Sequence, residues 1–382
     1  MDVINKNFNE ILNHFKIDGY FIDAKPFGNG HINETMLVSF REGDIIKEYI
    51  LRRLNNHVFK DPQIVVSNTV NATDYIAQKL RKEGKKDIPN QVLELIETKD
   101  SKYSYIDGNG DYWCLVVFIK NAYTVEHVET SEQAYQAAKA FGHFQMLLID
   151  ADINSYKESI QNFHNLESRL ASFDVAVKEN LVGRVNSVEK EIDLVNSYRS
   201  LSNKITNLIN NSELPIRITH NDTKINNVML NKVTNEGQCV IDLDTVMPGT
   251  VLYDFGDMVR TSTSPVEEDE PDVSKVIMRL DIFNALVKGY LEELADVLTE
   301  IEISNLVYGA KVIVYEQAIR FLTDYIMNDV YYNTDFTEHN LVRTRTQLAL
   351  LESIDNQTKE MENIVKKYTA LNLKNIINKN LC

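Results

Sequence analysis

Short runs of alternating hydrophobic and polar residues dominate the first third of the chain. Because a period of two is typical of strands with one buried face, we predict strands at residues 20–27, 33–40 and 47–54. The turn Asp107-Gly108-Asn109-Gly110 predicts a hairpin between two further strands, the second containing the apolar run 114–119. Apolar residues at helical spacing predict helices at residues 3–16 and 64–83. This part of the chain is therefore predicted to form a small α+β lobe.

From Ser131 onward the apolar positions recur at helical spacing instead. Helices are predicted at residues 131–150, 185–210, 273–297, 301–328 and 338–371. The acidic stretch 262–272 is bounded by prolines and polar residues, and it predicts a surface loop. We therefore predict an α+β protein of two lobes, in which residues 1–119 form a β-rich lobe and residues 120–382 a larger, mainly helical lobe.

Composition narrows the class of protein. The chain has 382 residues, of which 43% are hydrophobic and 25% are charged, a balance typical of soluble globular proteins. No apolar run reaches the roughly 18 to 20 residues that span a bilayer, and the first residues show no secretory signal, so we expect a cytoplasmic protein. The formal charge of −16 opposes nonspecific binding to nucleic acid or to an anionic membrane. We expect neither as a partner. The oligomeric state stays open, with a monomer favoured.

The most informative motif is the sequence ITHNDTKINNVML at residues 218–230. Asp222 follows His220 by two positions and precedes Asn227 by five, which is the H-x-D-x-x-x-x-N spacing of a kinase catalytic loop. Such a site needs one carboxylate that orients and deprotonates the attacking hydroxyl, and Asp222 suits this role. A turn of this length is enough to bring an amide side chain back toward the same metal. Asn227 is therefore a predicted magnesium ligand.

A second acidic run follows at residues 239–249, with the sequence CVIDLDTVMPG. Residues 228–230 and 239–243 are apolar and predict a hairpin of two strands, which places Asp242 on the second strand as the other magnesium ligand. Asp and Asn are also common in turns, so each run taken alone is open to a structural interpretation. The two runs in this order, followed by YDFGD at residues 253–257, favour a site for ATP-dependent phosphoryl transfer.

The first two predicted strands are joined by Gly28-Asn29-Gly30, where a kinase places a loop over the ATP phosphates. Glycines permit close approach of the backbone, although a turn of this sequence needs no ligand. On the third strand Arg52 is the candidate cation for the phosphates, with Asp74 on the following helix as its acidic partner; alternatively, Arg52 is only solvated. Phe118, at the end of the last strand, is a further candidate contact to the nucleotide.

These residues together resemble the aminoglycoside phosphotransferase and choline kinase superfamily, and within it the N-acetylhexosamine 1-kinases. The likeness extends over residues 27–347 and includes FGNGHINETMLV, RITHNDTKINNVML, VIDLDTVMPGTVLYDFGDMVR, RFLTDYIMNDVYY and EHNLVRTRTQ. The resemblance implies a two-lobed, protein-kinase-like fold. It also implies an enzyme that uses ATP and Mg²⁺ to phosphorylate the anomeric hydroxyl of N-acetylglucosamine or N-acetylgalactosamine.

The resemblance further implies roles for individual residues. Asp222 would be the catalytic base and would touch the sugar, while Asn227 and Asp242 would hold Mg²⁺. The other side chains implied to approach the sugar are His31, Thr245, Arg320 and Tyr331. Alternatively, Arg320 pairs with Asp324 on its own helix and Tyr331 only packs. The family has an aromatic residue where this chain has Thr261, so one wall of the sugar site is expected to differ, and no role follows for Arg343 and Arg345.

Two alternatives to a sugar 1-kinase stay open at this point. The same fold could phosphorylate another hydroxyl acceptor, such as an amino alcohol, an aminoglycoside or a plain hexose. A non-catalytic nucleotide-binding protein is the other alternative. Loss of Asp222, Asn227 or Asp242 would be the mark of such a protein, and all three residues are present.

Overall fold

The computed structural model describes residues 8–28, 33–56 and 58–379, except for the side chains of residues 373–379. The described residues form two compact units. The first unit lies within residues 1–123, 150–161 and 229–248, and the second within residues 124–149, 162–228 and 249–382. Two later segments of the chain, residues 150–161 and 229–248, belong to the first unit.

The first unit is built on a five-stranded antiparallel sheet, which confirms the predicted strands. Its strands are β1 (Tyr20–Pro26), β2 (Glu34–Glu42), β3 (Ile45–Leu54), β4 (Tyr105–Ile106) and β5 (Tyr112–Val117), in the order β1-β2-β3-β5-β4. Alternate side chains such as Val38, Leu51 and Leu115 are fully buried. They share a core with Phe8, the first of the helical residues 8–12, here called α1, and with Phe15, which follows that helix.

Helix α2 spans Pro62–Lys82, close to its predicted bounds. Asp61 caps its N-terminus by accepting a hydrogen bond from the main-chain nitrogen of Gln63, and proline in the first turn needs no donor there. Asn68 lies buried on this helix and donates hydrogen bonds to the main-chain oxygens of Lys157 at 2.7 Å and Val246 at 2.8 Å. Within the first unit, these two bonds attach the segments at residues 150–161 and 229–248 to α2.

The predicted hairpin after the catalytic motif is confirmed as β8 (Val228–Asn231) and β9 (Gly237–Val240), which form a three-stranded sheet with β6 (Ala122–Tyr123). The strand prediction was wrong at Asp242, because β9 ends at Val240. Asp242 has a left-handed backbone, with φ of 58°, and it precedes a 3₁₀ turn at Leu243–Thr245. Two further short strands are β7 (Arg217–Thr219) and β10 (Met247–Gly249).

The second unit is mainly helical, as predicted. Its helices are α3 (Ser131–Leu147), α4 (Leu166–Glu179), α5 (Glu189–Ser197), α6 (Lys204–Asn210), α7 (Val251–Ser262), α8 (Leu280–Leu294), α9 (Glu300–Ser304), α10 (Leu306–Ile326), α11 (His339–Asn356) and α12 (Thr358–Lys379). The predicted helices at residues 185–210, 301–328 and 338–371 were each wrong as a single element, and α4 and α7 were not predicted. None of the helices in the described ranges has both the length and the apolar character needed to cross a bilayer.

Helices α7 and α10 approach each other through two glycines. A Cβ atom on Gly256 would lie 2.5 Å from the main-chain oxygen of Gly309, and one on Gly309 would meet the main-chain oxygen of Leu252. Neither position can hold a larger residue unless the backbones move apart. This close packing fixes the position of α7. That helix carries Asp254, whose carboxylate binds the main chain at His220 and Asn221.

The structure accounts for the two arginines of the block at residues 338–347. Arg343 donates a hydrogen bond to the main-chain oxygen of Asn333 at 3.1 Å, and its guanidinium lies 5.6 Å from the centre of the Phe321 ring. Arg345 donates to the carboxylate of Glu191 at 2.6 Å. Both side chains therefore stabilise the packing of α11 within the second unit.

Candidate active site

The catalytic motif places Asp222 and Asn227 side by side in the second unit. Asn227 ends a 3₁₀ turn at residues 225–227, and its amide nitrogen donates to the main-chain oxygen of Asp222 at 2.8 Å and to the carboxylate at 3.1 Å. Asn221 turns the chain just before Asp222 with a left-handed backbone, φ 64°. The spacing of five residues therefore brings the Asn227 amide back to the Asp222 carboxylate.

Asp254 on α7 fixes the backbone of the loop at residues 220–223 through hydrogen bonds. Its buried carboxylate accepts hydrogen bonds from the main-chain nitrogens of His220 at 2.9 Å and Asn221 at 2.7 Å. Its main-chain oxygen accepts a third bond from the Thr223 hydroxyl at 2.5 Å. Burial raises the pKa of Asp254, although these amides and His220 act in the opposite direction. Asp254 is a supporting residue that the sequence analysis did not single out.

His220 packs inside the unit and braces the same turn. Its ring lies edge-on to Phe141 and Phe144, with centroids 5.4 Å and 5.8 Å away. The main-chain nitrogen of Asp222 donates to His220 Nδ1 at 3.2 Å. The histidine of the motif is thus fully buried, and it holds the backbone of Asp222 in place.

Lys224 provides the nearest positive charge to Asp222, with Nζ 3.0 Å from Oδ1. Burial acts to raise the pKa of Asp222, but Lys224, His220 and Arg260 together outweigh it and hold the pKa below its usual range. The reciprocal attraction of Asp222 raises the pKa of Lys224. Asp222 is therefore ionised at neutral pH, the state that a proton acceptor requires.

The second acidic run lies in the first unit, where Arg52 on β3 binds two carboxylates. Its guanidinium donates to both oxygens of Asp244, at 3.0 Å and 2.8 Å, and to Oδ1 of Asp242 at 2.9 Å. Burial acts to lower the pKa of Arg52, but the two carboxylates raise it overall. The predicted pairing with Asp74 was wrong, because Asp74 is an exposed residue of α2 and does not pair with Arg52 in the described structure.

Asp242 and Asp244 differ in exposure, and the difference suggests different roles. The side chain of Asp244 is 8% exposed, and it also accepts a hydrogen bond from Asn33 at 2.5 Å. The side chain of Asp242 is 44% exposed. Carboxylate and amide oxygens are the ligands that Mg²⁺ prefers, so the donor chemistry of Asp242 and Asn227 fits this ion. Asp244, which the sequence analysis missed, serves to orient Arg52.

The candidate nucleotide-binding residues are only partly described. Gly28 has a positive φ of 78°, and a Cβ atom there would meet nothing within 4 Å, so backbone conformation explains this glycine. Asn29, Gly30 and His31 lie outside the described residues. Phe118 follows β5; its main-chain nitrogen donates to the Glu48 oxygen at 3.2 Å, and its ring lies edge-on to Phe27 at 5.7 Å.

Arg320 lies on α10 among three aromatic rings. Its guanidinium carbon is 5.7 Å from the centre of the Phe163 ring, 5.8 Å from Tyr331 and 5.6 Å from Tyr332. Its hydrogen bond within the described structure is to Gln317 at 3.2 Å, and no carboxylate pairs with it there. A guanidinium with five donors therefore keeps most of its hydrogen-bonding capacity for a ligand.

The alternative prediction of an ion pair between Arg320 and Asp324 is wrong, because Asp324 binds other groups in the described structure. Its carboxylate accepts hydrogen bonds from the main-chain nitrogens of Val330, Tyr331 and Tyr332 at 2.8 to 3.0 Å, and from the Asn340 amide at 2.9 Å. These bonds fix the turn that presents Tyr331, whose residue surface is 58% exposed. Thr245 belongs to the first unit, at the end of the 3₁₀ turn that follows Asp242.

A buried ion-pair cluster supports this region of the second unit and was missed by sequence analysis. Glu316 on α10 is 2% exposed and lies 3.2 Å from Nδ1 of His164 and 3.9 Å from Nε of Arg169. Burial acts to raise the pKa of Glu316, but His164, Arg320 and Arg169 lower it overall. Burial and the nearby Arg320 lower the pKa of Arg169. An ionised carboxylate, Glu316, and a second arginine, Arg169, therefore lie close enough to Arg320 to interact with its charge.

Comparison with known proteins identifies relatives of this architecture. The family model described as "Phosphotransferase enzyme family" matches residues 23–276. An aminoglycoside phosphotransferase from Alicyclobacillus acidocaldarius shares the fold at 12% identity, with a TM-score of 0.56 over 92% of this chain and 96% of that one. A choline kinase from Cryptosporidium parvum has 14% identity and a TM-score of 0.55 over 95% and 99%. Aminoglycoside 2′-phosphotransferase-IIIa, crystallised with GDP, has 11% identity and a TM-score of 0.56 over 90% and 98%.

Proposed function

This chain belongs to the phosphotransferase enzyme family, and we propose that it transfers the γ-phosphoryl group of ATP to the anomeric hydroxyl of an N-acetylhexosamine. The products would be ADP and the sugar 1-phosphate. The observation that carries the phosphotransferase activity is the contact between Asp222 and Asn227 in a loop held by Asp254. The choice of sugar rests on the sequence blocks at residues 320–332 and 338–347.

Asp222 is the proposed catalytic base. Its pKa lies below the usual range, so it is ionised at neutral pH and can accept the proton of the attacking hydroxyl. In this type of reaction the transferring group is loosely bonded at the transition state, and positioning together with charge stabilisation supplies most of the rate. Lys224 and the Asp254 hydrogen bonds would then act by fixing where the carboxylate lies.

Asn227 and Asp242 are the proposed magnesium ligands, each through a side-chain oxygen. When bound, Mg²⁺ would neutralise charge on the phosphates of the nucleotide. Asn227 donates its amide nitrogen to Asp222, which turns its oxygen the other way. Arg52 binds one oxygen of Asp242 and so fixes the orientation of that carboxylate. Gly28, Asn29, Gly30, Arg52 and Phe118 remain the proposed nucleotide contacts.

His31, Thr245, Arg320 and Tyr331 are the proposed sugar contacts, together with Asp222. The unpaired donors of Arg320 suit the oxygen atoms of hydroxyl and acetamido groups. The neighbouring Tyr331 and Tyr332 offer ring faces on which a pyranose can pack. These features support a neutral, oxygen-rich acceptor.

Phosphorylation of another acceptor is the second candidate, because structural neighbours include an aminoglycoside phosphotransferase and a choline kinase. At 11 to 14% identity these likenesses carry the fold and no substrate. Arg169 and Arg260 are each paired with carboxylates, whereas Arg320 has none among the described residues and offers its donors to the oxygen atoms of an uncharged acceptor. We therefore favour the neutral sugar.

The activity is tested by measuring ADP release with N-acetylglucosamine, N-acetylgalactosamine, glucose, galactose, choline, ethanolamine and kanamycin, using ATP and GTP in turn as donors. Phosphorus NMR of the product then identifies the phosphorylated position. We expect turnover with at least one N-acetylhexosamine and a phosphate on carbon one. Turnover confined to the amine acceptors, or phosphate on another carbon, would contradict the proposal.

The residue roles are tested with Asp222→Asn, Asn227→Ala and Asp242→Asn. Each should lower kcat by roughly a hundredfold or more, because each removes a group that acts on the transferring phosphoryl group. Asp74→Asn is the matched control, since Asp74 is an exposed carboxylate of the first unit. If any of the three variants keeps a kcat close to that of the wild type, the role proposed for the substituted residue is wrong.

A further inference from the structure

Gln317 on α10 joins Arg320 to Tyr332 through its side-chain amide. The amide oxygen accepts a hydrogen bond from Nη1 of Arg320 at 3.2 Å, and the amide nitrogen donates to the hydroxyl oxygen of Tyr332 at 3.2 Å. An arginine side chain has donors and no acceptor, so the amide oxygen must face Arg320 and the amide nitrogen must face Tyr332. The chemistry of the three groups therefore fixes the direction of both hydrogen bonds.

The hydroxyl of Tyr332 accepts from Gln317 and so keeps its own proton for another partner. In the part of the chain that the structure describes, no group accepts that proton. Burial raises the pKa of Tyr332, although Arg320 and the hydrogen bond from Gln317 act in the opposite direction, so the hydroxyl stays protonated at neutral pH. Arg320 and Tyr332 therefore each have a donor available for a ligand.

Both donors are held in place and both reach the surface. The main-chain nitrogen of Tyr332 donates to Asp324 at 3.0 Å, and the Tyr332 ring packs against Phe321 with centroids 4.8 Å apart. The centre of the same ring lies 5.6 Å from the guanidinium carbon of Arg320. Arg320 and Tyr332 are each partly exposed, so a ligand can contact them. Binding to side chains that are already fixed costs little conformational entropy.

His164 connects this part of α10 to the loop that carries Asp222. Its Nε2 lies 3.3 Å from the main-chain oxygen of Asn221, which directly precedes Asp222. Its Nδ1 lies 3.2 Å from the carboxylate of Glu316, which directly precedes Gln317. All of these residues belong to the second unit. One imidazole ring therefore spans the distance between the catalytic loop and the helix that carries the two donors.

We propose that Arg320 and the Tyr332 hydroxyl donate to the carbonyl oxygen of the acceptor's acetamido group, and that Gln317 positions both donors. This inference rests on the proposed function and adds Tyr332 as a specificity-determining residue and Gln317 as a positioning residue. A carbonyl oxygen has two lone pairs and can accept both bonds, whereas a hydroxyl also carries a proton that needs its own acceptor. An ammonium group can accept neither bond. The two donors therefore favour an N-acylated sugar over a plain hexose and over an amine.

The first test uses the unmodified enzyme and three acceptors of the same ring configuration: the N-acetylhexosamine, its N-trifluoroacetyl analogue and the plain hexose. Fluorine weakens the carbonyl oxygen as a hydrogen-bond acceptor, and the plain hexose lacks this oxygen. We expect kcat/KM to fall roughly threefold or more for the fluorinated analogue and roughly tenfold or more for the hexose. Equal kcat/KM for all three acceptors would overturn the inference.

The second test compares Tyr332→Phe with the wild type on the same three acceptors. Phenylalanine keeps the ring and removes the hydroxyl, so the KM for the N-acetylhexosamine should rise roughly fivefold to tenfold, while the KM for the hexose stays unchanged and the penalty for fluorination shrinks. If Tyr332 only supports the fold, all three acceptors will lose activity by one factor or by none, which overturns the inference. Tyr135→Phe is the matched control, because it removes a hydroxyl that bonds to Glu292 on another helix of the second unit.

Gln317→Glu tests the direction of the hydrogen bond separately from its presence. A carboxylate at this position can only accept, so the Tyr332 hydroxyl would donate to it and have no proton left for the substrate. We expect the ratio of kcat/KM between N-acetylhexosamine and hexose to fall as it does in Tyr332→Phe, with the thermal midpoint retained. A wild-type ratio in the folded variant would overturn the role of Gln317, and if this variant does not fold, Tyr332→Phe decides.

The outcomes separate this inference from the proposed function. Turnover of N-acetylhexosamines with an unchanged acceptor preference in Tyr332→Phe rejects the inference alone and leaves the sugar kinase activity in place. Turnover confined to amine acceptors in the unmodified enzyme rejects both.

Discussion

The carboxylate of Asp254 accepts hydrogen bonds from the main-chain nitrogens of both His220 and Asn221, at 2.9 Å and 2.7 Å. It therefore clamps the chain immediately before Asp222. Because α7 packs closely against α10 through Gly256 and Gly309, this clamp is attached to a closely packed pair of helices in the second unit. Asp254 thus attaches the loop that contains Asp222 to the packed helices of the second unit.

Replacing Asp254 by Asn should disrupt this clamp without changing the size of the side chain. The amide nitrogen cannot accept one of the two bonds, so one main-chain nitrogen is left unpaired at a cost of about 1 to 3 kcal/mol. We expect kcat to fall roughly tenfold to a hundredfold through misplacement of Asp222, with a smaller change in the KM for ATP. Steady-state kinetics and a thermal melt measure both effects, with the exposed Asp296→Asn as control. A wild-type kcat would show that the loop holds its geometry without the clamp.

Lys224→Met should change the pH dependence of the reaction. Lys224 lowers the pKa of Asp222, so its removal raises that pKa, and the base becomes protonated at a higher pH. The acidic limb of the kcat profile should therefore move to higher pH. Lys232→Met, in the exposed loop between β8 and β9, is the matched control and should leave the profile unchanged. An unmoved acidic limb in Lys224→Met would mean that a group other than Asp222 is the base.

Arg52→Lys tests whether the two carboxylates of the first unit depend on the shape of the guanidinium. Lysine keeps the charge but cannot bind both oxygens of Asp244 and one of Asp242 together. We expect a higher KM for ATP and a higher magnesium concentration for half-maximal rate, each by roughly tenfold. The neighbouring Arg53→Lys is a close control, because Arg53 is a half-exposed residue paired with Glu34 and Asp111. Equal effects in the two variants would assign the loss to the sheet rather than to Arg52.

Gly309→Ala should destabilise the second unit. A Cβ atom at this position would collide with the main-chain oxygen of Leu252, and overpacking of this kind costs about 1 to 3 kcal/mol. Gly108→Ala is the control, because a Cβ atom there meets nothing within 4 Å and φ is not positive. Chemical denaturation measures the difference in the free energy of unfolding. If both variants are equally stable, the two helices can separate without cost, and the clamp at Asp254 is less rigid than we infer.

Much of the first unit was predictable because its signals are local. Alternation along β1, β2 and β3 and the Asp107–Gly110 turn depend on neighbouring residues, and the strands lie close to their predicted bounds. The contact between Asp222 and Asn227 was predictable for the same reason, since five residues of chain connect them. Helix α7 was missed because the YDFGD sequence was interpreted as a motif, and its glycine and aspartates disfavour helix when packing is ignored.

Sequence alone determined the residue types of the candidate site, the spacing of its catalytic loop and the two-lobed α+β class. Tertiary structure decided which charges belong together. Arg52 binds Asp242 and Asp244 about 190 residues further along the chain, and Asp254 holds a loop more than 30 residues before it. A pattern of neighbouring residues cannot identify such partners, because burial selects among many carboxylates of equal chemistry, and burial exists only once the chain has folded.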